Sequence, residues 1–192
     1  MLRRLYDWTM REAASPHAMK ALAGVSFAES SFFPIPPDVM LIPMVLADRA
    51  KAWRIALVCT LASVIGGIAG YAIGYFLFTT VGNWIFDVYD LHEKAAQFQQ
   101  AYNAYGFWFV LVAGFTPIPY KLFTIASGTA AMSLPLFMLA SAISRGARFF
   151  LVAALLYLFG PPIRAFIERY LGILTFAFMA LLIGGFIALR WL

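Results

Sequence analysis

A chain of 192 residues that is 63% hydrophobic and only 12% charged holds more apolar surface than a water-soluble domain of this size can bury, so lipid must be part of its solvent. The formal net charge of +5 does not point to nucleic acid, because most of the basic residues flank apolar stretches, where membrane anchors belong. A single cysteine, Cys59, excludes both an intramolecular disulfide and a cysteine-rich metal site.

Taken in chain order, residues 1–20 place Leu2, Leu5, Tyr6 and Met10 near one helical face with Arg3, Arg4 and Arg11 between them, which predicts a short helix on the cytoplasmic membrane surface. The same stretch lacks an uninterrupted apolar core and a small-residue cleavage pattern, so it does not read as a removable signal peptide. Residues 21–47 are mostly apolar but break at SFFPIPPDV, where Pro34, Pro36 and Pro37 remove backbone donors and fix φ. No straight helix passes through such a tract. The segment is either a sharply kinked span or a re-entrant hairpin, and non-helical backbone at that depth must be buried in protein or face a water-filled cavity.

A full span is predicted over 53–78, where Gly66, Gly70 and Gly74 recur every fourth residue, with Gly67 beside them, and form a smooth face for close helix packing. Over 83–105, Trp84, Val88, Leu91, Ala95, Phe98, Tyr102 and Tyr105 recur in steps of three and four, which predicts an amphipathic helix on the periplasmic interface. Residues 107–131 repeat the earlier break, now at Pro117 and Pro119 within GFTPIPYKLFT. A long span over 133–159 carries Arg145 and Arg148 near its middle, Pro161 and Pro162 end it, and 171–189 supplies a last span.

FFPIPPD at 32–38 and FTPIPYK at 115–121 share Phe, Pro, Ile and Pro at an offset of 83 residues. Paired proline-interrupted segments of this kind are a sequence pointer to a transporter's binding site near the bilayer midplane. Charge bias selects the topology. With both segments re-entrant and the N-terminus in the cytoplasm, nine basic residues (Arg3, Arg4, Arg11, Lys20, Arg49, Lys51, Arg54, Arg164 and Arg169) lie inside, and only Lys94 and Arg190 outside. Making only the first segment a full crossing removes most of that bias. The expected fold is therefore all-α and polytopic. It has two oppositely oriented re-entrant hairpins, forming an inverted repeat, and about three full transmembrane helices in a single membrane domain.

Charges inside a bilayer cost at least about 2.5–3.5 kcal/mol each and need a partner, a cavity or a task. Five qualify: Glu29, Asp38, Lys121, Arg145 and Arg148. Arg145 and Arg148 share one helix face with Ser141 a turn earlier, and a guanidinium fork suits phosphate oxygens. With Lys121 they make a candidate binding patch for an anion, although pairing with Glu29 and Asp38 merely to hold the bundle remains an alternative. Carboxyl groups can take up and release protons as their surroundings change, which makes Glu29 and Asp38 candidate proton-coupling residues. Asp38 has two further options, capping the helix after the proline turn or pairing with its repeat equivalent, Lys121. The prolines 34, 36, 37, 117 and 119 are the candidate gate. No cofactor or metal is expected, and no enzymatic chemistry, because His17 and His92 lie outside the spans and neither HExxH nor GxSxG occurs.

The tracts FAESSFFPIPPDV, GGIAGYAIGY, FTPIPYKLFTIASG and SRGARFF, in this order, resemble the DedA family of bacterial membrane proteins, which carry the SNARE-associated (VTT) domain, and most of all its short YqaA-like branch. The resemblance covers roughly residues 20–160. It implies two re-entrant hairpins in the bacterial cytoplasmic membrane and translocation of a lipid phosphate such as undecaprenyl phosphate, driven by protons. It also implies that Glu29 and Asp38 match the family's membrane-embedded acids, and Arg145 and Arg148 its arginines. The partners expected are membrane lipids and the anionic lipid itself, with homo-oligomerisation left open. Two rival readings are a secondary transporter for small ions or protons and a non-transporting envelope scaffold.

Overall fold

A computed structural model describes residues 15, 17–33, 35–77, 80, 92–116, 119–160 and 162. Residues 1–14 of the surface helix expected over 1–20, the start of the amphipathic helix, Pro34, Pro117 and the last span over 171–189 lie outside the described residues, and residues 18–20 of that first stretch already belong to the next helix. Among those described, the structure is helical without strands: α1 (Ala18–Ser31), α2 (Asp38–Ala47), α3 (Ala52–Leu77), α4 (His92–Phe115), α5 (Tyr120–Thr129) and α6 (Leu134–Gly160). A short 3-10 turn, Arg49–Lys51, joins α2 to α3, capped by the Asp48 carboxylate on the Ala50 amide at 3.1 Å. Asp48 also pairs with Lys51 at 2.7 Å, and that hydrogen bond is the main reason its carboxyl titrates below the usual range.

Two helices, Arg49–Leu77 and Leu134–Gly160, are long and apolar enough to cross a membrane. Their surfaces invert the soluble pattern. On α3 the exposed side chains include Trp53, Leu57, Leu61, Ile65 and Phe76, whereas the buried face carries Cys59, Thr60, Ser63, Gly66, Gly67, Gly70 and Gly74. Large apolar groups turned outward and small or hydroxylated groups turned inward suit a lipid solvent, in which close backbone packing replaces hydrophobic collapse.

The hydrogen-bond register sets the helix directions. Ser26 Oγ meets Cys59 Sγ at 3.1 Å, Ser30 Oγ meets Ser63 Oγ at 2.6 Å, and Ser31 Oγ donates to the Gly66 carbonyl at 2.8 Å. The partners advance together, so α1 and α3 run parallel. A Cβ on Gly66 would collide with the Phe27 carbonyl, which is why a glycine stands at this approach. Further along α3, Gly74 faces the Ile125 carbonyl of α5, and Gly128 of α5 faces the Tyr71 carbonyl in return. Thr124 Oγ1 donates to the Ser30 carbonyl at 3.1 Å and links α5 to the end of α1. The glycine stripe of 53–78 thus receives two helices in succession.

Ala18 at the start of α1, Leu46 near the end of α2 and Ala52 at the start of α3 share one apolar cluster. In the second half, Tyr102 Oη donates to the Phe123 carbonyl at 3.2 Å and Asn103 Nδ2 to the Ala130 carbonyl at 3.4 Å, which packs α4 against α5. The helices α3 and α6 are antiparallel. Arg49 donates to the Tyr157 carbonyl at 3.2 Å, Arg145 to Ser63 at 2.7 Å, and Tyr71 to the Met132 carbonyl at 2.6 Å.

Helix boundaries recur between the halves. Ser31, Asp38, Ala47, Ala52 and Leu77 are matched by Phe115, Tyr120, Thr129, Leu134 and Gly160, a shift of 82 to 84 residues, whereas the starts of α1 and α4, Ala18 and His92, are 74 apart. One expected boundary fails. The sequence reading separated an amphipathic helix ending at 105 from a hairpin beginning at 107, but α4 runs unbroken from His92 to Phe115. Gly106 does not interrupt it, because a lone glycine costs a helix only about 1 kcal/mol and this one makes room for the Tyr102 ring and the Met132 sulfur.

Candidate functional site

Ser63 and Arg145 are each the twelfth residue of their helices, α3 and α6, and eleven steps of 1.5 Å put both about 17 Å from the helix starts, near the middle of a ~30 Å core. There the Arg145 Nη2 donates to Glu29 Oε2 at 2.6 Å and its Nε to Ser63 Oγ at 2.7 Å. Ser30 completes the network, bonding Ser63 at 2.6 Å and donating to the same Glu29 oxygen at 3.2 Å. The guanidinium carbon lies over the rings of Tyr120 at 4.9 Å and Phe149 at 4.7 Å, contacts worth about 2 kcal/mol when desolvated. Tyr120 is itself fixed, because its hydroxyl donates to Ser141.

One turn along α6, Arg148 Nη2 donates to Asp38 Oδ2 at 2.6 Å and Nη1 to the Thr116 carbonyl at 3.1 Å. Asp38 is the first residue of α2 and Thr116 follows α4 directly, so this arginine ties the two proline turns together. The place is favourable for a carboxylate, since the first turn of a helix carries partial positive charge.

Four of the five intramembrane charges therefore converge as two ion pairs, Glu29 with Arg145 and Asp38 with Arg148. The capping alternative for Asp38 is corrected: Pro37 stands at the N-cap of α2 without a side-chain bond, and the carboxylate goes to Arg148 instead. The Asp38–Lys121 alternative fails for the same reason. Lys121, half-buried on α5, has no carboxylate partner among the described residues. Ser141 is fully buried and accepts from Tyr120, so it supports the ring beneath Arg145. Pro37 is buried, whereas Pro36 and Pro119 are exposed.

Sequence reasoning missed Ser30, Ser63, Tyr120, Phe149 and the Thr116 carbonyl. A signal existed for Ser63, because Thr60 and Ser63 continue the face of Gly66, Gly67, Gly70 and Gly74 and give that packing stripe a hydroxyl end. Tyr120 carried none, since a tyrosine after a proline turn reads equally well as an interfacial anchor.

Exposed apolar faces, a core in which buried serines and threonines interrupt apolar clusters, and arginine–carboxylate pairs at mid-depth define a polytopic helical membrane protein with an ionic centre. The chain belongs to the VTT-domain, or DedA, family, generally membrane proteins of transporter type, and the VTT domain matches residues 35–158. A protein of Haemophilus influenzae described as uncharacterized is 38% identical over 189 residues, covering 97% of this chain and 96% of that one. Another from Histophilus somni, also described as uncharacterized, is 41% identical over 152 residues, covering 79% of this chain and 78% of its own length. No solved structure matches the chain.

Proposed function

We propose that this protein is not an enzyme but a translocase, moving an anionic lipid phosphate of the polyprenyl phosphate kind across the bacterial cytoplasmic membrane with proton coupling. The observation that carries this reading is the pair of arginines at mid-depth, each held by a carboxylate that borders a proline turn. A carboxylate and a phosphate compete for the same guanidinium fork. Protonation of Asp38 removes its charge, weakens its hold on Arg148 and leaves that cation to the phosphate, while protonation of Glu29 loosens the Arg145 network beside it. Loss of the Asp38 proton on the other side restores the ion pair and expels the head group, while the hydrocarbon tail stays in lipid. Lys121 adds positive charge beside the second turn.

The parallel register of α1 on α3, the antiparallel α3 and α6, and helix boundaries that recur between the halves support an inverted repeat of two re-entrant hairpins whose tips meet at the arginines. The gate is then the two proline turns, and the N-terminus is cytoplasmic.

The test is reconstitution into liposomes, following fluorescent undecaprenyl phosphate with and without a pH gradient. Wild type should transfer the lipid, Arg148→Gln should not, and Glu29→Gln should transfer without responding to the gradient. Well-folded wild type that moves no lipid would refute the proposal and favour a small-ion transporter or a scaffold.

A further inference from the structure

Within the proposed lipid-phosphate site, and resting on that reading, we infer that the two arginine–carboxylate pairs divide the work: Arg148 alone receives the phosphate, and Arg145 is a fixed pin between the halves. The two pairs have the same 2.6 Å length but different surroundings. The Arg145 side chain is 2% exposed, held by Ser63 and Glu29 and covered by the Tyr120 and Phe149 rings. A phosphate group could reach it only by dismantling contacts from α1, α3 and α5 together. The Arg148 side chain is 23% exposed and its Asp38 partner 19%. Its other bond goes to a backbone carbonyl, and among the described residues no ring lies over it. Removing Asp38 would leave that guanidinium reachable and short of a counter-charge.

A second observation points to the same place. Thr116, whose carbonyl accepts from Arg148, has a buried Oγ1 with no hydrogen-bond partner among the described residues. Buried hydroxyls are nearly always paired, so an idle donor beside Arg148 is suited to a phosphate oxygen. The Arg145 network leaves no such group: Ser30, Ser63, Tyr120 and Ser141 are all engaged.

The roles are separated by mapping phenylglyoxal modification of the full-length protein in neutral detergent by peptide mass spectrometry, alone and with dodecyl phosphate or inorganic phosphate. Arg148 should be modified and then protected by dodecyl phosphate, while Arg145 stays unmodified until the protein unfolds. In parallel, Arg148→Gln should weaken dodecyl phosphate binding by about 10- to 100-fold, the value of a charged hydrogen-bonded contact, and Thr116→Val should weaken it less. Ser63→Ala, which loosens Arg145, should lower the unfolding temperature and leave that affinity unchanged.

Modification and protection at Arg145, or an affinity loss in Ser63→Ala matching that of Arg148→Gln, would overturn the division while leaving the translocase reading intact. Equal protection of Arg148 by inorganic phosphate would uphold the division and count against a lipid substrate. No protection by either phosphate would refute both.

Discussion

At the residue scale, burial decides what each ion pair is worth. Breaking a buried pair by removing one partner costs about 3–5 kcal/mol, because the other charge is left uncompensated, and Arg145 with Glu29 meets that description. Glu29→Gln should therefore lower the unfolding midpoint sharply. Asp38→Asn should cost about 1–2 kcal/mol, between the ranges for exposed and buried pairs, because solvent reaches Asp38 and Arg148. Thermal unfolding of both variants in one detergent measures the difference. Equal losses would mean that the two pairs are equally sealed.

At the element scale, the glycines are not equivalent. A Cβ on Gly66 would run into the Phe27 carbonyl, while one on Gly24 meets nothing. Gly66→Ala must push α1 away from α3 and break the serine bridges beside it, so it should reduce both folded yield and unfolding temperature. Gly24→Ala should raise stability by about 0.5–1 kcal/mol through helix propensity alone. A melting comparison checks both, and a Gly66→Ala protein as stable as wild type would contradict the contact.

The end of α5 offers a gain. Ala131 holds φ at 51°, in the left-handed region, and the Met132 amide reaches back to the Ser127 carbonyl at 3.0 Å. This helix ending favours glycine. Ala131→Gly should stabilise by about 1 kcal/mol by relieving the clash of Cβ with its own backbone, and an unchanged or lower unfolding temperature would show that the turn is not strained.

At the scale of the whole molecule, the proposed topology fixes which side each connection faces. In a Cys59→Ala background, cysteines at Lys20 and Lys51 should react with a membrane-impermeant maleimide from one side of sealed vesicles. A cysteine at Ser133, before α6, should react from the other, because α6 runs against α3. Labelling of Lys20→Cys and Lys51→Cys from opposite sides would make the first proline segment a full crossing.

Composition and pattern by themselves determined that the chain is helical and spans a membrane, that it breaks at the proline tracts, and that charges lie at mid-depth. The family followed from the same tracts, since prolines, glycines and arginines at fixed spacing are local features that survive without coordinates. Two helices long and apolar enough to cross a membrane were legible in the sequence, because apolar length is a one-dimensional quantity. Continuity through Gly106 was not legible, since a single glycine reads equally as a break or as a packing site. Nor was the choice of partners. Asp38 could cap, meet Lys121 or meet Arg148, and only the register of α2 against α6 across 110 residues selects Arg148. The unequal burial of two identical-looking pairs was likewise decided in three dimensions: Tyr120 and Phe149 come from α5 and α6 to cover one guanidinium and not the other, and sequence spacing carries no information about a surface assembled from separate helices.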